Sequence, residues 1–340
     1  MNKTNQSLIS WLWLILGLTA GMVVVGGVTR LTHSGLSMVD WRPLVGAIPP
    51  LNDHQWQETF ERYQSFPEYK RINAGMTIGE FKKIFFWEYL HRLLGRLIGI
   101  AFLLPWIWFM IRKQIPPGIN LKLAGLFALG GLQGLMGWYM VKSGLVDNPA
   151  VSHYRLAAHL LLAFAVMVIS LLLIFRLSNR KRPETAPPGR LKTLSYFVTG
   201  VIVLQIVYGA FTAGLKAGFG MNTFPTMNGE WIPSVAFGMT PFWHNLVENN
   251  FGVQFIHRTI GWLLLFGVVA LWISAMRLKL NSMQRRALNL LSVMTVVQFT
   301  LGALTIVFVV PLTLAALHQA GAAALLLLAV SLNYSLTPKR

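Results

Sequence analysis

Apolar residues run along this chain in stretches long enough to cross a hydrocarbon core of about 30 Å, beginning near Ser10, Ile84, Leu121, His153, Leu191, Asn250, Arg286 and Leu312. They predict eight membrane-spanning helices. The first, Ser10 to Thr29, is span-length, lacks an Ala-x-Ala cleavage site and runs straight into the next loop, so it is expected to remain a helix rather than be removed as a signal. No Arg-rich, Ser-rich transit peptide precedes it. The connection Arg30 to Lys83 is long, and length of this kind usually has a use. Within it, Asp53 to Ser65 carries Trp56, Phe60 and Tyr63 at helical spacing and is predicted to lie along the membrane interface. Thr77-Ile78-Gly79-Glu80 has the pattern of a capping box opening the second span. The fifth connection, Gly214 to Asn249, is shorter and glycine-rich. A lid over the first half would suit a bulky amphipathic substrate entering from lipid.

The pattern is written twice. An offset of 183 pairs Gly26 with Gly209, Thr29 with Thr212, Gly35 with Gly218, Gly46 with Gly229 and Pro50 with Pro233. Later helices match at 166, 165 and 159, pairing His91 with His257, Gln133 with Gln298, Gly137 with Gly302, Ala157 with Ala316 and His159 with His318. A duplicated four-helix unit keeps both copies in one orientation. The predicted architecture is two pseudo-symmetric antiparallel four-helix bundles side by side. The N-terminal bundle covers 1–177, with the long loop at 30–83. A basic, Pro-rich linker covers 178–190, and the C-terminal bundle covers 191–340.

Composition agrees with the spans: 54% of residues are hydrophobic, 12% are charged and the mean hydropathy is +0.55, too apolar for one soluble core. The net charge of +18 would suggest nucleic acid if it were not sorted by topology. Sixteen basic residues, from Lys3 to Arg340, fall in the N-terminus, the even-numbered loops and the C-terminus, opposed there only by Glu184. By the positive-inside rule these segments and both termini are cytoplasmic. The partner of the charge is membrane lipid, and no nucleic acid is implied. With no cysteine in the chain, a metal must be held by nitrogen or oxygen.

Histidine is the candidate. Glu88-Tyr89-Leu90-His91-Arg92-Leu93-Leu94-Gly95 and Gln254-Phe255-Ile256-His257-Arg258-Thr259-Ile260-Gly261 repeat one element, and His159 and His318 add a second intramembrane imidazole to each half. Ionisable groups in lipid are costly, so four at duplicated positions favour ligation over four separate structural contacts. Counting from Lys83, Ser152, Glu248 and Pro311, each lies about 10 to 14 Å below the outer surface at 1.5 Å per residue. Level pairs on facing helices suit a flat macrocycle with both axial positions of its iron filled, which means haem. Zinc would want a third or fourth ligand that does not recur in both halves.

The halves differ at one position. Glu88 precedes His91 by one helical turn, where the second half has Gln254. A carboxylate beside one iron could relay protons or stabilise a cationic intermediate, against the blander reading that it pairs with Arg92 or Lys83. Arg92 and Arg258 need anionic partners at their depth, and haem propionates or helix-end carbonyls would serve. His153 is read as a boundary residue, and His33, His54 and His244 as solvated loop residues.

The run Gly27-Val28-Thr29-Arg30-Leu31-Thr32-His33-Ser34-Gly35-Leu36-Ser37-Met38-Val39-Asp40-Trp41, with Phe66-Pro67-Glu68-Tyr69, Gly75-Met76-Thr77 and Glu88-Tyr89-Leu90-His91-Arg92, resembles the haem A synthase family in its long-loop form. The resemblance covers nearly the whole chain. It implies an oxidoreductase of the bacterial inner membrane, multi-pass, with its haem sites near the outer face. Such an enzyme oxidises the C8 methyl of haem O to a formyl group by successive hydroxylations, giving haem A for terminal oxidases. By the same resemblance His91 and His159 flank the substrate haem, Glu88 is the catalytic acid, and His257 and His318 hold a permanent haem b. A haem O synthase and an electron-transfer partner are implied as partners, and a homo-oligomer is compatible with the pattern. Some members carry a cysteine pair in the first outer loop, and this chain does not. The rivals are a dihaem b-type cytochrome passing electrons from quinol, which should stack its haems at different depths, and a duplicated-bundle transporter, which should show broken helices.

Overall fold

The computed structural model describes residues 3–39, 48–144, 151–178 and 189–338. Asp40, Trp41 and Gly46, most of the 178–190 linker and the last two residues lie outside the described residues. Eight helices among those described are long and apolar enough to cross a membrane. They are α1 (Lys3–Leu31), α4 (Ile78–Ile111), α5 (Asn120–Gly144), α6 (His153–Leu177), α7 (Gly189–Gly214), α9 (Asn250–Met276), α10 (Ser282–Val307) and α11 (Leu312–Leu336). Three shorter helices belong to the connections: α2 (Asp53–Gln64), α3 (Pro67–Arg71) and α8 (His244–Val247). The protein is an all-α integral membrane protein.

The chain divides into two compact units, Met1–Val166 and Met167–Arg340. The division falls inside α6, ahead of the linker expected from composition. The end of α6 packs with the last helix: Tyr334 donates to the Phe175 carbonyl at 3.2 Å, and the two rings lie 4.8 Å apart.

In lipid, helices gain little from apolar contact alone, so polar pins and small residues fix their register. In the first unit the Trp11 indole of α1 donates to the Ala101 carbonyl of α4 at 2.8 Å, and the Thr29 hydroxyl reaches the Trp87 carbonyl at 3.2 Å. Trp106 of α4 donates to the Asn120 side chain at the start of α5 at 2.9 Å. In the second unit Asn333 of α11 accepts from Ser195 at 2.6 Å and donates to Thr199 at 2.8 Å, pinning α7. Gln284 of α10 donates to the Ser335 carbonyl of α11 at 2.9 Å.

Helix α4 is 34 residues long, well beyond the ~20 that a span needs. Thr77 and Glu80 close the expected capping box at its start. Its extra turns carry Phe81 and Phe85, and α2 lays Trp56, Phe60 and Tyr63 against them, with Tyr63 and Phe81 stacked at 5.0 Å. The aromatic face of Asp53 to Ser65 packs on protein, against the projecting turns of α4.

The 215–249 connection folds around the buried Asn245, which exchanges hydrogen bonds with the Met239 backbone at 2.8 Å each way. Asn249 then caps α9 by accepting from Phe251 and Gly252. A β-carbon at Gly252 would strike the Asn245 and Ala236 carbonyls, so only glycine admits this close approach.

Candidate haem pockets

Each of the four intramembrane histidines presses one edge of its ring against a glycine on a neighbouring helix. A β-carbon built at Gly26 (α1) would lie 2.8 Å from Cε1 of His91 (α4), and one at Gly137 (α5) would lie 3.2 Å from Cε1 of His159 (α6). In the second unit, Gly209 (α7) approaches His257 (α9) at 3.2 Å and Gly302 (α10) approaches His318 (α11) at 2.9 Å. A methyl group would be excluded at Gly26 and Gly302 unless the ring shifted, and would be tight at Gly137 and Gly209, so these glycines are seats for the rings. All four Nδ1 atoms are buried with no hydrogen-bond partner. A buried polar atom left so in four equivalent places calls for an explanation, and a ring nitrogen free to bind iron is one.

In the second unit the His257 and His318 ring centres are 6.4 Å apart with their planes at 87°. Metal–imidazole nitrogen bonds of about 2 Å on both sides of one ion would put the ring centres roughly 6 Å apart. The separation therefore fits one axially ligated iron between the rings. In the first unit His91 lies within electrostatic reach of His159. Among the described residues no group of three or more His, Cys, Asp or Glu side chains is placed to hold a bare metal ion. A macrocycle that brings its own equatorial donors needs only the two axial ones.

Glutamines line the rings. Gln133 of α5 lies 3.3 Å from Nε2 of His159, and Gln205 of α7 lies 3.4 Å from Nε2 of His257. Both contacts are at the long limit of hydrogen bonding and easily displaced. Gln298, the repeat partner of Gln133, donates to the His318 carbonyl at 2.7 Å.

The position that distinguishes the halves carries two different networks. Glu88 is buried and accepts three contacts: from the Ser37 hydroxyl at 2.7 Å, from the Met38 backbone N–H at 2.7 Å, and from the Arg92 guanidinium. Arg92 also donates to the Met38 carbonyl at 2.8 Å. In the second unit Gln254 donates to the Gly220 carbonyl at 3.0 Å, while its own side-chain oxygen is buried and unpaired. Arg258 donates to the carbonyls of Met221 at 2.6 Å, Thr223 at 2.8 Å and Thr226 at 3.2 Å. The 183 offset that aligns the first helices pairs Ser37 with Gly220 and Met38 with Met221. Both arginines thus clamp the same loop position, through loop carbonyls rather than helix-end ones, and the Nε of Arg258 is buried without a partner.

The remaining histidines stand apart from these pockets. His153 is the first residue of α6 and is buried against Tyr154, His33 and His54 are exposed, and His244 opens α8 half-buried. Sequence reasoning used Gly26, Gly137 and their partners only as markers of the repeat. Their recurrence in helices adjacent to the histidine helices was the available signal for a seat. Ser37 and Met38 carry no such signal, since a loop strap onto a helix is invisible to helical spacing.

Comparison with known proteins gives the family. Residues 9–330 match the cytochrome oxidase assembly protein family, COX15-CtaA. A heme A synthase of Nitrosospira multiformis is 48% identical over 328 residues, covering 96% of this chain and 92% of the relative. One from Nitrosomonas eutropha is 46% identical over 94% of this chain and 91% of its own length. One from Flavobacterium psychrophilum is 42% identical over 95% and 96% respectively. With four seated imidazoles in two repeated pockets and relatives matched nearly end to end, the chain belongs to the haem A synthase family of cytochrome oxidase assembly proteins.

Proposed function

We propose that the first unit binds haem O and oxidises its C8 methyl group to a formyl group by successive hydroxylations, the resulting geminal diol losing water to give haem A. The second unit holds haem b as a permanent electron carrier or structural cofactor. The observation that carries this reading is one break in the duplication: two pockets share imidazoles, glycine seats and arginine clamps, and only one has a carboxylate, Glu88. A pair of electron carriers would have no use for that difference.

Iron porphyrin, when bound, supplies the redox chemistry. The chain's own residues position it and handle protons. His91 and His159 would hold the substrate haem, and His257 and His318 would hold haem b, each ring resting against a glycine seat. Glu88, one turn from His91, would take up or return protons as the methyl carbon is oxidised, with Ser37, Met38 and Arg92 fixing its oxygens. Arg92 and Arg258 are the candidate propionate partners, Arg258 with the better claim because its buried Nε has no acceptor. The sorting of basic residues supports cytoplasmic termini in a bacterial inner membrane, with both pockets toward the outer face. A haem O synthase would supply the substrate, and an electron-transfer partner would take up the electrons released.

The test is the haem content of the purified wild type beside His91→Ala and His257→Ala, separated by reversed-phase chromatography. Wild type should yield haem B together with haem O or haem A. His91→Ala should lose the farnesylated haems and keep haem B, and His257→Ala should show the converse. Haem B alone in wild type would make the protein a dihaem cytochrome and end this assignment.

A further inference from the structure

The walls of the two pockets differ as well as their charge. In the second unit three rings fill the gap between α9 and α10. Phe224 of the 215–249 connection stacks on Trp262 of α9 at 5.9 Å and 12°, and Phe299 of α10 packs edge-on to both, at 4.6 Å from Trp262 and 5.7 Å from Phe224. Trp262 lies one turn beyond Arg258, and Phe299 lies one turn before the Gly302 seat, so the rings wall off one side of the pocket.

Two of the three rings have no counterpart in the first unit. The offsets of 166 and 165 that align these helices place Arg96 at the position of Trp262 and Gly134 at that of Phe299. Phe224 aligns with Trp41, outside the described residues. A fixed indole thus gives way to a long flexible side chain, and a benzyl group to a hydrogen atom. Gly134 shares its helix face with Gly130, Gln133 and the Gly137 seat, and a β-carbon at Gly130 or Gly134 would meet nothing within 4 Å. Helices α4 and α5 meet at the other end, where the Phe127 ring packs on Phe102 at 5.7 Å and on Trp106 at 5.6 Å. From Phe127 to Gly137 is about 15 Å of helix at 1.5 Å per residue.

A second difference lies between α5 and α6. In the second unit the Gln298 amide tucks against Gly321 of α11 and donates to the His318 carbonyl at 2.7 Å, and a β-carbon at Gly321 would displace it. The offset of 159 puts Leu162 at that position in the first unit. Gln133 cannot tuck in the same way there, and its amide lies 3.3 Å from Nε2 of His159 instead. Both differences widen the first pocket on its α5 side.

We propose that the opening between α4 and α5 at Gly134 admits the farnesyl tail of the substrate haem, and that Trp262 and Phe299 exclude that tail from the second unit. This rests on the reading of the first unit as the haem O site, and it supplies the means by which two similar pockets take different haems. The selection is steric. Lipid chains are as apolar as side chains, so a farnesyl tail gains little by leaving lipid for protein, and an open slot need only give it room. A walled pocket acts by clash: the tail must displace packed rings or carry its porphyrin away from the imidazoles. Haem b, with a short vinyl group where haem O carries the tail, fits behind the wall. Gly130 and Gly134 are exposed, so the tail can lie partly in lipid.

The experiment compares haems extracted from proteins with one loaded pocket, purified from cells that make both haem B and haem O. In the His257→Ala background, where the first unit alone should hold haem, Gly134→Phe should lower the ratio of farnesylated haem to haem B by about tenfold, the scale of discrimination by an apolar pocket. In the His91→Ala background, Phe299→Gly should raise that ratio in the second unit by a similar factor. An unchanged ratio in Gly134→Phe would overturn the slot. If Gly134→Phe holds no haem, Phe299→Gly decides, since misfolding cannot create a gain: uptake of farnesylated haem supports the proposal and its absence overturns it. Haem B alone from the His257→Ala parent would instead overturn the haem O reading, and the slot with it.

Discussion

Glu88 and Gln254 occupy equivalent helical positions and are each tied to the equivalent loop position, yet with the polarity of the contact reversed. In the first unit the loop donates, through the Ser37 hydroxyl and the Met38 N–H, to a carboxylate. In the second it accepts, through the Gly220 carbonyl, from an amide. The arginine clamp on Met38 and Met221 is common to both. What the duplication preserved is the mechanics of a pocket: ring, seat and strap. What diverged at this position is one charge and the loop groups that satisfy it, since a buried carboxylate facing a carbonyl would be repelled and a buried amide nitrogen needs an acceptor.

Making the halves alike is therefore the most damaging change. Glu88→Gln should retain haem in both pockets and lower haem A formation by about 10²- to 10⁴-fold, the range for a lost general acid–base group. Substrate haem or the alcohol intermediate should accumulate, as seen by extracting and chromatographing the haems. Normal haem A production would remove Glu88 from the mechanism.

The glycine seats separate the pockets. A methyl group at Gly26 would overlap His91, and one at Gly209 would crowd His257. Both seats are backbone of a packed helix, so the ring must move, and overpacking of this kind typically costs about 1–3 kcal/mol. Gly26→Ala should deplete the farnesylated haems, with haem B near normal. Gly209→Ala should do the reverse. Equal depletion of both haems in each variant would mean that the seats serve general folding rather than their own rings.

A smaller effect belongs to the strap. Ser37→Ala removes one of three donors to Glu88 while Met38 N–H and Arg92 remain, so haem A formation should fall several-fold rather than collapse. Gly220→Ser places a hydroxyl at the equivalent position of the second unit, where no carboxylate awaits it and its β-carbon would press on the Phe251 ring, so any loss should be of bound haem B, with haem A formation per haem-loaded protein unchanged. A loss in Gly220→Ser as large as in Ser37→Ala would erase the asymmetry on which the two roles rest.

The fold was legible because lipid imposes long apolar runs, and the duplication was legible because glycines and histidines recur at fixed offsets. The four histidines, Glu88 and Gln254 stood out for the same reason. Loop-to-helix contacts were not legible. Ser37 lies 51 residues from Glu88 and Met38 lies 54 from Arg92, and no periodicity joins them. Amphipathic spacing says that one face of α2 is covered without saying by what, and the contact of its aromatic face with Phe81 and Phe85 was not legible. Glu68, buried in α3, was passed over because burial of a loop carboxyl depends on how α2, α3 and α4 meet.

The weakest expected effect concerns that carboxyl and stability rather than rate. Glu68 is raised from 4.5 in the unfolded chain to about 8 by burial and by Glu88, so the folded protein binds its proton more tightly than the unfolded one. Its contribution is fully present below about pH 4.5 and is lost as pH rises toward 8, the reverse of a salt-bridged carboxylate. Glu68→Gln, which mimics the protonated state at every pH, should therefore melt close to wild type in mildly acid detergent solution. It should melt increasingly above wild type as the pH approaches 8. The second unit has no matching buried carboxyl in its 215–249 loop, where Glu230 and Glu248 are exposed or half-buried. The pH-dependent difference should thus appear in melting followed through the first unit's haem and be absent from that followed through the second. A difference between the two proteins that stays constant from pH 5 to 8 would show that Glu68 does not take up its proton on folding.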